Sequence, residues 1–374
     1  MALWLEPSED NRRAAERRVR RWTTAFHVMT RPILRLEVVG AESLPKEGPA
    51  LVVANHANLL DPFLGIAAVG RPVHWFGTAT LQQKGPVARF LRDSGAIPKQ
   101  RFKKDLLAVR LAMRWAKVGG VVGVFPEGER SWDGRVQRFV PGVGGLVRAL
   151  RVPVFGLRME NAHRHWPRFS ARPRRGVIRV HVERVDLGTD PEAAIQAVVT
   201  PQGCEHVIRS WNAAQGMSQL VYACPECGAQ AMTERRGALA CTACQQVWRV
   251  DTSHRLTGPS EHTLSSCMDA QQATSIAAWQ HTRPDVVLRS GRTTWSTPSG
   301  SFEGHGVLRP DRLEVVRGGQ VCWSLPMSAV RHANVEFQRR FEAHTDAGMV
   351  RADLPVTDSG WRWGWTTRWF ASNP

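Results

Sequence analysis

A series of short apolar runs between residues 36 and 184 constrains this chain more than any other feature. The runs are LEVVG (36–40), ALVVAN (50–55), VHWFGTA (73–79), VVGVF (121–125), VPVFGL (152–157) and GVIRVHVER (176–184). Each has the length and the Val, Ile and Phe content of a strand. A helical pattern at 103–117 interrupts the series, and residues 191–213 read as a closing helical segment. Strands alternating with helices bury both faces of a sheet, so a layered α/β fold is expected.

At 374 residues the chain is too long for one compact core. Residues 11–31 read as a helix that Pro32 stops. Ala15, Val19, Trp22, Phe26 and Met29 share one face of it, flanked by Arg13, Arg17, Arg20 and Arg21. Two readings are open: an amphipathic helix on an anionic bilayer interface, or a helix packed on its own domain.

Composition shifts near Met217. A cysteine cluster occupies 222–250, a polar stretch at 251–266 reads as linker or extended structure, and 267–282 as a short helix. Beyond 285, hairpins are expected for 307–316 with 321–325 and for 341–345 with 349–354. Trp361, Trp365 and Trp369 share a helical face. That face either packs on the strands, or Trp363 and Phe370 turn to a membrane or partner. The expected segments are a basic helix (1–34), an α/β domain (35–216), a cysteine-rich ribbon (217–252), a linker with a short helix (253–284) and an all-β domain with a C-terminal helix (285–374).

Charge narrows the partners. Lys+Arg 50 against Asp+Glu 33 gives +17, which favours nucleic acid, anionic membrane or phosphorylated substrates. The arginines lack the aromatic interleaving of a base-stacking platform, so nucleic acid is not expected. No run approaches the ~20 apolar residues of a spanning helix. The opening MALWLEPSEDNRR lacks a signal peptide's apolar core. A cytoplasmic chain is expected, peripheral on the cytoplasmic membrane face, with no transmembrane helix.

Four segments carry chemistry. In NHANLLDP, His56 precedes Asp61 by five residues. An imidazole can take a proton near neutral pH while a carboxylate fixes its tautomer, but Asp61-Pro62 also fits a helix cap. FPEGERS (125–131) follows a buried run and presents Glu127 and Arg130 at a strand's carboxyl end, where α/β sheets bind ligands. Arginine offers a planar fork for phosphate. GAIPKQR (95–101) ends in Arg101, with Lys103 and Lys104 beyond it, and VPVFGLR (152–158) contains Pro153. The basic segment at 159–176 either meets lipid phosphates or forms a solvated loop.

Cys224-x2-Cys227 and Cys241-x2-Cys244 have zinc-ribbon spacing. Structural zinc is expected; an iron–sulfur centre and a redox pair are the alternatives. Cys204, Cys267 and Cys322 are isolated and read as packing residues.

In this order the four segments resemble the glycerolipid acyltransferase family that includes 1-acylglycerol-3-phosphate acyltransferase. Asn55, His56 and Asp61 match its Asn-His-x4-Asp motif. Gly95, Ile97 and Arg101 match its second motif, Phe125 through Ser131 its Phe-Pro-Glu-Gly-x-Arg-Ser motif, and Pro153 its fourth. Two positions depart: Glu129 replaces the usual Thr, and Val154-Phe155-Gly156 replaces a second proline. The resemblance implies His56 and Asp61 as catalytic residues, and Asn55, Arg101, Glu127, Gly128, Arg130, Ser131 and Pro153 as substrate-binding ones. It implies acyl transfer from acyl-CoA or acyl carrier protein to lysophosphatidate, giving phosphatidate. Alternatives are the same chemistry on glycerol 3-phosphate or another lysolipid, and a non-enzymatic membrane or nucleic-acid binding scaffold. The C-terminal strands and helix resemble a pleckstrin-homology-like barrel.

Overall fold

The computed structural model describes residues 6–78, 85–100, 105–336 and 338–373. Arg101, Lys103 and Lys104 of the second motif lie outside the described residues. The chain divides into two units, Met1–Arg168 with Arg172–Ser210, and Phe169–Ala171 with Trp211–Pro374.

The first unit begins with α1 (Glu9–Thr30), capped by the Ser8 side chain. There follow β1 (Leu34–Val39), β2 (Ala50–Ala54), α2 (Asp61–Val69), β3 (Val73–Thr78), α3 (Gly85–Asp93), β4 (Ile97–Lys99), α4 (Leu106–Lys117), β5 (Val121–Val124), α5 (Val143–Leu150), β6 (Val154–Glu160), α6 (Ala162–His165), β7 (Gly176–Arg184) and α7 (Pro191–Val199). The strands form one sheet in the order β1-β7-β6-β2-β5-β3-β4. β2 to β6 are mutually parallel, while β7 pairs antiparallel with β6 and carries β1 beside it.

β2 is central, and all five of its residues are fully buried. Val52 and Ala54 pack on one face with Leu64, Trp75 and Val180, and Leu51 and Val53 on the other with Leu111, Trp115 and Val147. That two-sided burial is why the run is apolar at every position.

α1 packs on its own unit through Ala15, Val19 and Phe26. Phe26 stacks on Phe63 and Phe63 on Phe90, while the Trp22 indole donates to Asp93 at 2.9 Å. Met29, expected on the same face as these residues, is instead 67% exposed beside the exposed Val28. The closing helix is also shorter than expected. α7 stops at Val199 because Pro201 lacks an N–H and disfavours a helical residue before it. Among the described residues, no helix is long and apolar enough to cross a membrane.

The second unit holds β8 (Met232–Arg235), β9 (Ala238–Cys241), β10 (Val247–Val250), β11 (Arg255–Thr257) and β12 (Glu261–Thr263), paired in sequence order. Of the two readings for 251–266, linker or extended structure, the second holds: the stretch adds two strands to the five-stranded sheet. α8 (Leu264–Thr282) follows, its start set by a reciprocal cap between Thr263 and Ser266.

β13 (Leu288–Thr297), β14 (Gly300–Leu308), β15 (Arg312–Arg317), β16 (Gln320–Pro326), β17 (His332–Glu336), β18 (Arg340–Thr345) and β19 (Gly348–Asp353) form an antiparallel sheet in the order β16-β15-β14-β13-β19-β18-β17, closed by α9 (Gly360–Ser372). The α9 aromatics correct one reading. Trp363 and Phe370 are buried, with Trp363 against Trp295 and Phe341. Trp365 and Trp369 instead meet Trp279 of α8. Neither Trp363 nor Phe370 faces outward.

Candidate active site

The chain leaves β2 at its carboxyl end and reaches His56 two residues later. FPEGERS, leaving the adjacent β5, grips the His56 backbone from both sides. The His56 N–H donates to Glu127 Oε1 at 2.6 Å, and the Ser131 N–H donates to the His56 carbonyl at 2.8 Å. Glu127 Oε2 accepts the Gln137 N–H at 2.8 Å. Both oxygens of this buried carboxylate thus hold backbone. Gly128 turns at φ +73°, where a Cβ would lie 2.8 Å from Val140 Cγ1, so only glycine fits the bend.

Asp61 settles the question its spacing raised. Its Oδ2 accepts from His56 Nδ1 at 2.8 Å and from the N–H groups of Ala57 at 2.7 Å and Asn58 at 2.8 Å. Leu60 occupies the N-cap position of α2, with no side-chain cap bond. Asp61 is fully buried and turned back towards the loop, so it does not cap the helix. With Nδ1 bound to this carboxylate, the imidazole's Nε2 carries the lone pair.

Aromatic packing fixes the ring plane. The imidazole stacks on Phe125 at 4.2 Å between centroids, and Phe125 stacks on Trp75 at 4.3 Å. The Trp75 indole is anchored to the Pro62 carbonyl at 3.2 Å. Gly65 and Gly123 leave room for it, since a Cβ on either would come within 2.5 Å of the indole.

Electrostatics follow from this burial. Desolvation holds His56 below the usual 6.5, and the charges of Arg130 and Arg168 push the same way against the pull of Asp61. Burial drives Glu127 up to about 8, against the two backbone N–H donors and with help from the Asp61 and Glu129 charges.

The remaining motif residues separate into those near the imidazole and those elsewhere. Asn55 exchanges two bonds with the Met159 backbone, tying β2 to β6 rather than facing a substrate. Ser131 is buried, its Oγ accepting from the Gly134 N–H and donating to Asp133, so it shapes the turn. Pro153 is exposed at the amino end of β6, which runs parallel to β2. That register puts it at the opposite edge of the sheet from His56, away from any substrate there. Arg130 stays close enough for its charge to act on His56.

Several residues went unmarked in the sequence. Fully buried Asn58 donates to the Ala162 carbonyl and accepts from the Leu60 N–H, bracing the loop between His56 and Asp61. Trp75 sat in a recognised strand, but nothing in its spacing pointed to His56. Arg168 lay in the basic segment, whose charge alone did not separate it from its neighbours.

In the second unit, the four expected ligands come together. Tetrahedral zinc at about 2.3 Å from each thiolate requires sulfurs about 3.8 Å apart. Cys224 and Cys244 stand 3.6 Å apart, Cys227 and Cys241 3.8 Å, and all four ligand atoms lie within 4.8 Å of one another. The donor set fits a closed structural site.

Residues 35–160 match the family model described as Acyltransferase. This span holds His56, Asp61 and FPEGERS. Over 126 residues the chain is 26% identical to the chloroplast 1-acyl-sn-glycerol-3-phosphate acyltransferase of Brassica napus, covering 33% of this chain and 36% of that protein. Over 120 residues it is 25% identical to the 1-acyl-sn-glycerol-3-phosphate acyltransferase of Bacillus subtilis, covering 32% and 60%. An uncharacterized protein of Mycobacterium leprae is 35% identical over 123 residues, covering 31% and 32%. The chain thus spans roughly a third to six tenths of the length of these relatives. Among solved structures, the 1-acyl-sn-glycerophosphate acyltransferase of Thermotoga maritima aligns with a TM-score of 0.39 and 25% identity, over 51% of this chain and 78% of that one.

Proposed function

We propose that this chain, an enzyme of the 1-acylglycerol-3-phosphate acyltransferase family by its residues 35–160, moves a fatty acyl group from acyl-CoA or acyl carrier protein to the free hydroxyl of lysophosphatidate, giving phosphatidate. The observation that carries this reading is the Asp61 carboxylate, held by two backbone N–H groups and aimed at His56 Nδ1.

His56 Nε2 takes the proton of the acceptor hydroxyl as its oxygen attacks the thioester carbonyl carbon. Asp61 stabilises the imidazolium that forms. The tetrahedral adduct collapses, the carbon–sulfur bond breaks, and the thiolate leaves with the proton His56 took. An ester and a free thiol result, with no covalent enzyme intermediate. Arg130, and Arg101 by the resemblance, hold the acceptor phosphate. Glu127 supports the base through the backbone. Fixing base, acceptor and thioester together lowers the barrier by converting a bimolecular encounter into a positioned one.

The rest of the chain is read as support. Cys224, Cys227, Cys241 and Cys244 hold structural zinc, which would contribute folding energy to the second unit. The seven strands closed by α9 are read as a pleckstrin-homology-like barrel. The +17 charge and the exposed Val28 and Met29 favour a peripheral place on the anionic cytoplasmic membrane face.

The test is thiol release from acyl-CoA by the purified full chain, with and without lysophosphatidate, for wild type and His56→Ala. Acceptor-dependent release lost in the variant is expected. Release that survives His56→Ala refutes the assignment of the base.

A further inference from the structure

One of the two positions where this chain departs from the family's motifs, Glu129, is not idle. Glu129 Oε2 stands 3.3 Å from Arg168 Nη1, and the same nitrogen donates to the Arg130 carbonyl at 2.7 Å. The Arg168 guanidinium lies 4.1 Å from the centroid of the Trp132 ring, and its side chain is only 2% exposed. Arg168 therefore grips the FPEGERS turn by a backbone bond, an ion pair and a ring face.

Two observations place this group beside the reaction. The charges of Arg130 and Arg168 both act on His56, and that of Glu129 acts on Glu127. A carboxylate paired with Arg168 cancels much of that arginine's field where an anionic headgroup would sit. The pair is largely withdrawn from water, so the cancellation is weakly screened.

We propose that Glu129 and Arg168 act as one unit that sets acceptor selectivity: Arg168 is a positioning residue holding the Arg130 turn, and Glu129 takes up its charge, lowering the site's preference for a dianionic phosphate monoester over singly charged or zwitterionic headgroups. This deepens the acyl-transfer reading and rests on it for the site's location. A threonine at 129 would remove this carboxylate from Arg168 and leave its bond to the Arg130 carbonyl and its contact with Trp132 in place.

The experiment uses the full chain and two readouts. Binding of glycerol 3-phosphate, as a headgroup probe, is measured by calorimetry. Turnover is measured with lysophosphatidate and with lysophosphatidylcholine. Glu129→Gln keeps the shape and removes the charge; Glu129→Thr is the second variant, and thermal melts check that both fold. Removing the carboxylate should tighten probe binding about threefold to tenfold and raise the lysophosphatidate preference similarly, through KM more than kcat. Arg168→Met should weaken probe binding, with partial rescue in Arg168→Lys. Unchanged probe affinity in both folded Glu129 variants overturns the proposal. Absence of turnover in wild type would instead refute the acyl-transfer reading, while probe binding still decides the role of the pair.

Discussion

Asp61→Asn separates a catalytic carboxylate from a loop staple. In the structure, one oxygen of Asp61 accepts three N–H donors, and the other is buried with no hydrogen-bond partner among the described residues. An asparagine oxygen can take the first position and keep all three bonds. Its NH2 then enters the second position without an acceptor, costing about 1–3 kcal/mol of stability. A domain with about 5–15 kcal/mol to lose stays folded.

What disappears is the negative charge facing the imidazolium. At about 4 Å and an effective dielectric of about 20, that charge is worth ~4 kcal/mol to the protonated ring. Partial compensation by the retained bonds leaves a fall in kcat of about 100- to 1000-fold. The pH profile should move as well. Asp61 pulls His56 up against desolvation, so its removal lowers His56 further and shifts the acid limb of kcat/KM to lower pH. The assay is thiol release across pH 5–8, with melting curves beside it. A folded Asp61→Asn enzyme within about tenfold of wild type, its acid limb unmoved, would refute the base–orienter reading.

Above the pH of about 8 at which Glu127 ionises, Glu127→Gln places an NH2 against the N–H of His56 or Gln137 and should cost about 1–3 kcal/mol in stability, with a fall in kcat of about tenfold or more; unaltered melting and turnover there would refute the bracing role. His74, His163 and His165 are each held down to about 4, chiefly by burial. The unfolded chain binds protons near pH 6.5 that these rings refuse until about pH 4, so stability is full above 6.5 and drains as pH falls towards 4. Urea midpoints at pH 7.5, 6 and 5 should decline in that order, and a flat series would count against neutral buried imidazoles. Stripping metal with a chelator under reducing conditions, or Cys224→Ser, should release zinc and lower the melting temperature of the second unit; a full complement of zinc in Cys224→Ser would show that the four thiolates are not the ligand set.

Legibility in the sequence followed burial. β2 and β5 were readable because a central strand is apolar on both faces, and the pairing of His56 with Asp61 because both lie within one loop. α5 was not. α5 (VGGLVRAL) carries two adjacent glycines, whereas Asp61-Pro62 already marked a helix start for α2, whose Gly65 lies in the interior. The local propensity of α5 is poor, and packing against the sheet decides its helicity. The ribbon's last strands were only half legible, as linker or extended structure, since Arg255–Thr257 and Glu261–Thr263 are mostly polar and pair at an edge. The bonds that distinguish an orienter from a cap were invisible too, because they depend on where the amides of Ala57 and Asn58 point.

The same geometry divides the labour in the site. Asp61, expected as the orienter, holds the imidazole through its ring nitrogen, and Glu127, expected at the substrate, turns inward and holds the backbone N–H of the same residue. Changes at 61 and 127 should therefore be felt in turnover. Glu129 is different, because its partner Arg168 is bonded to the carbonyl of Arg130, the residue read as the phosphate clamp. A change at 129 alters the field around the acceptor headgroup and leaves the bonds to the base in place. Its effect should appear in which acceptor is chosen, and that difference in readout is what the charge arrangement predicts.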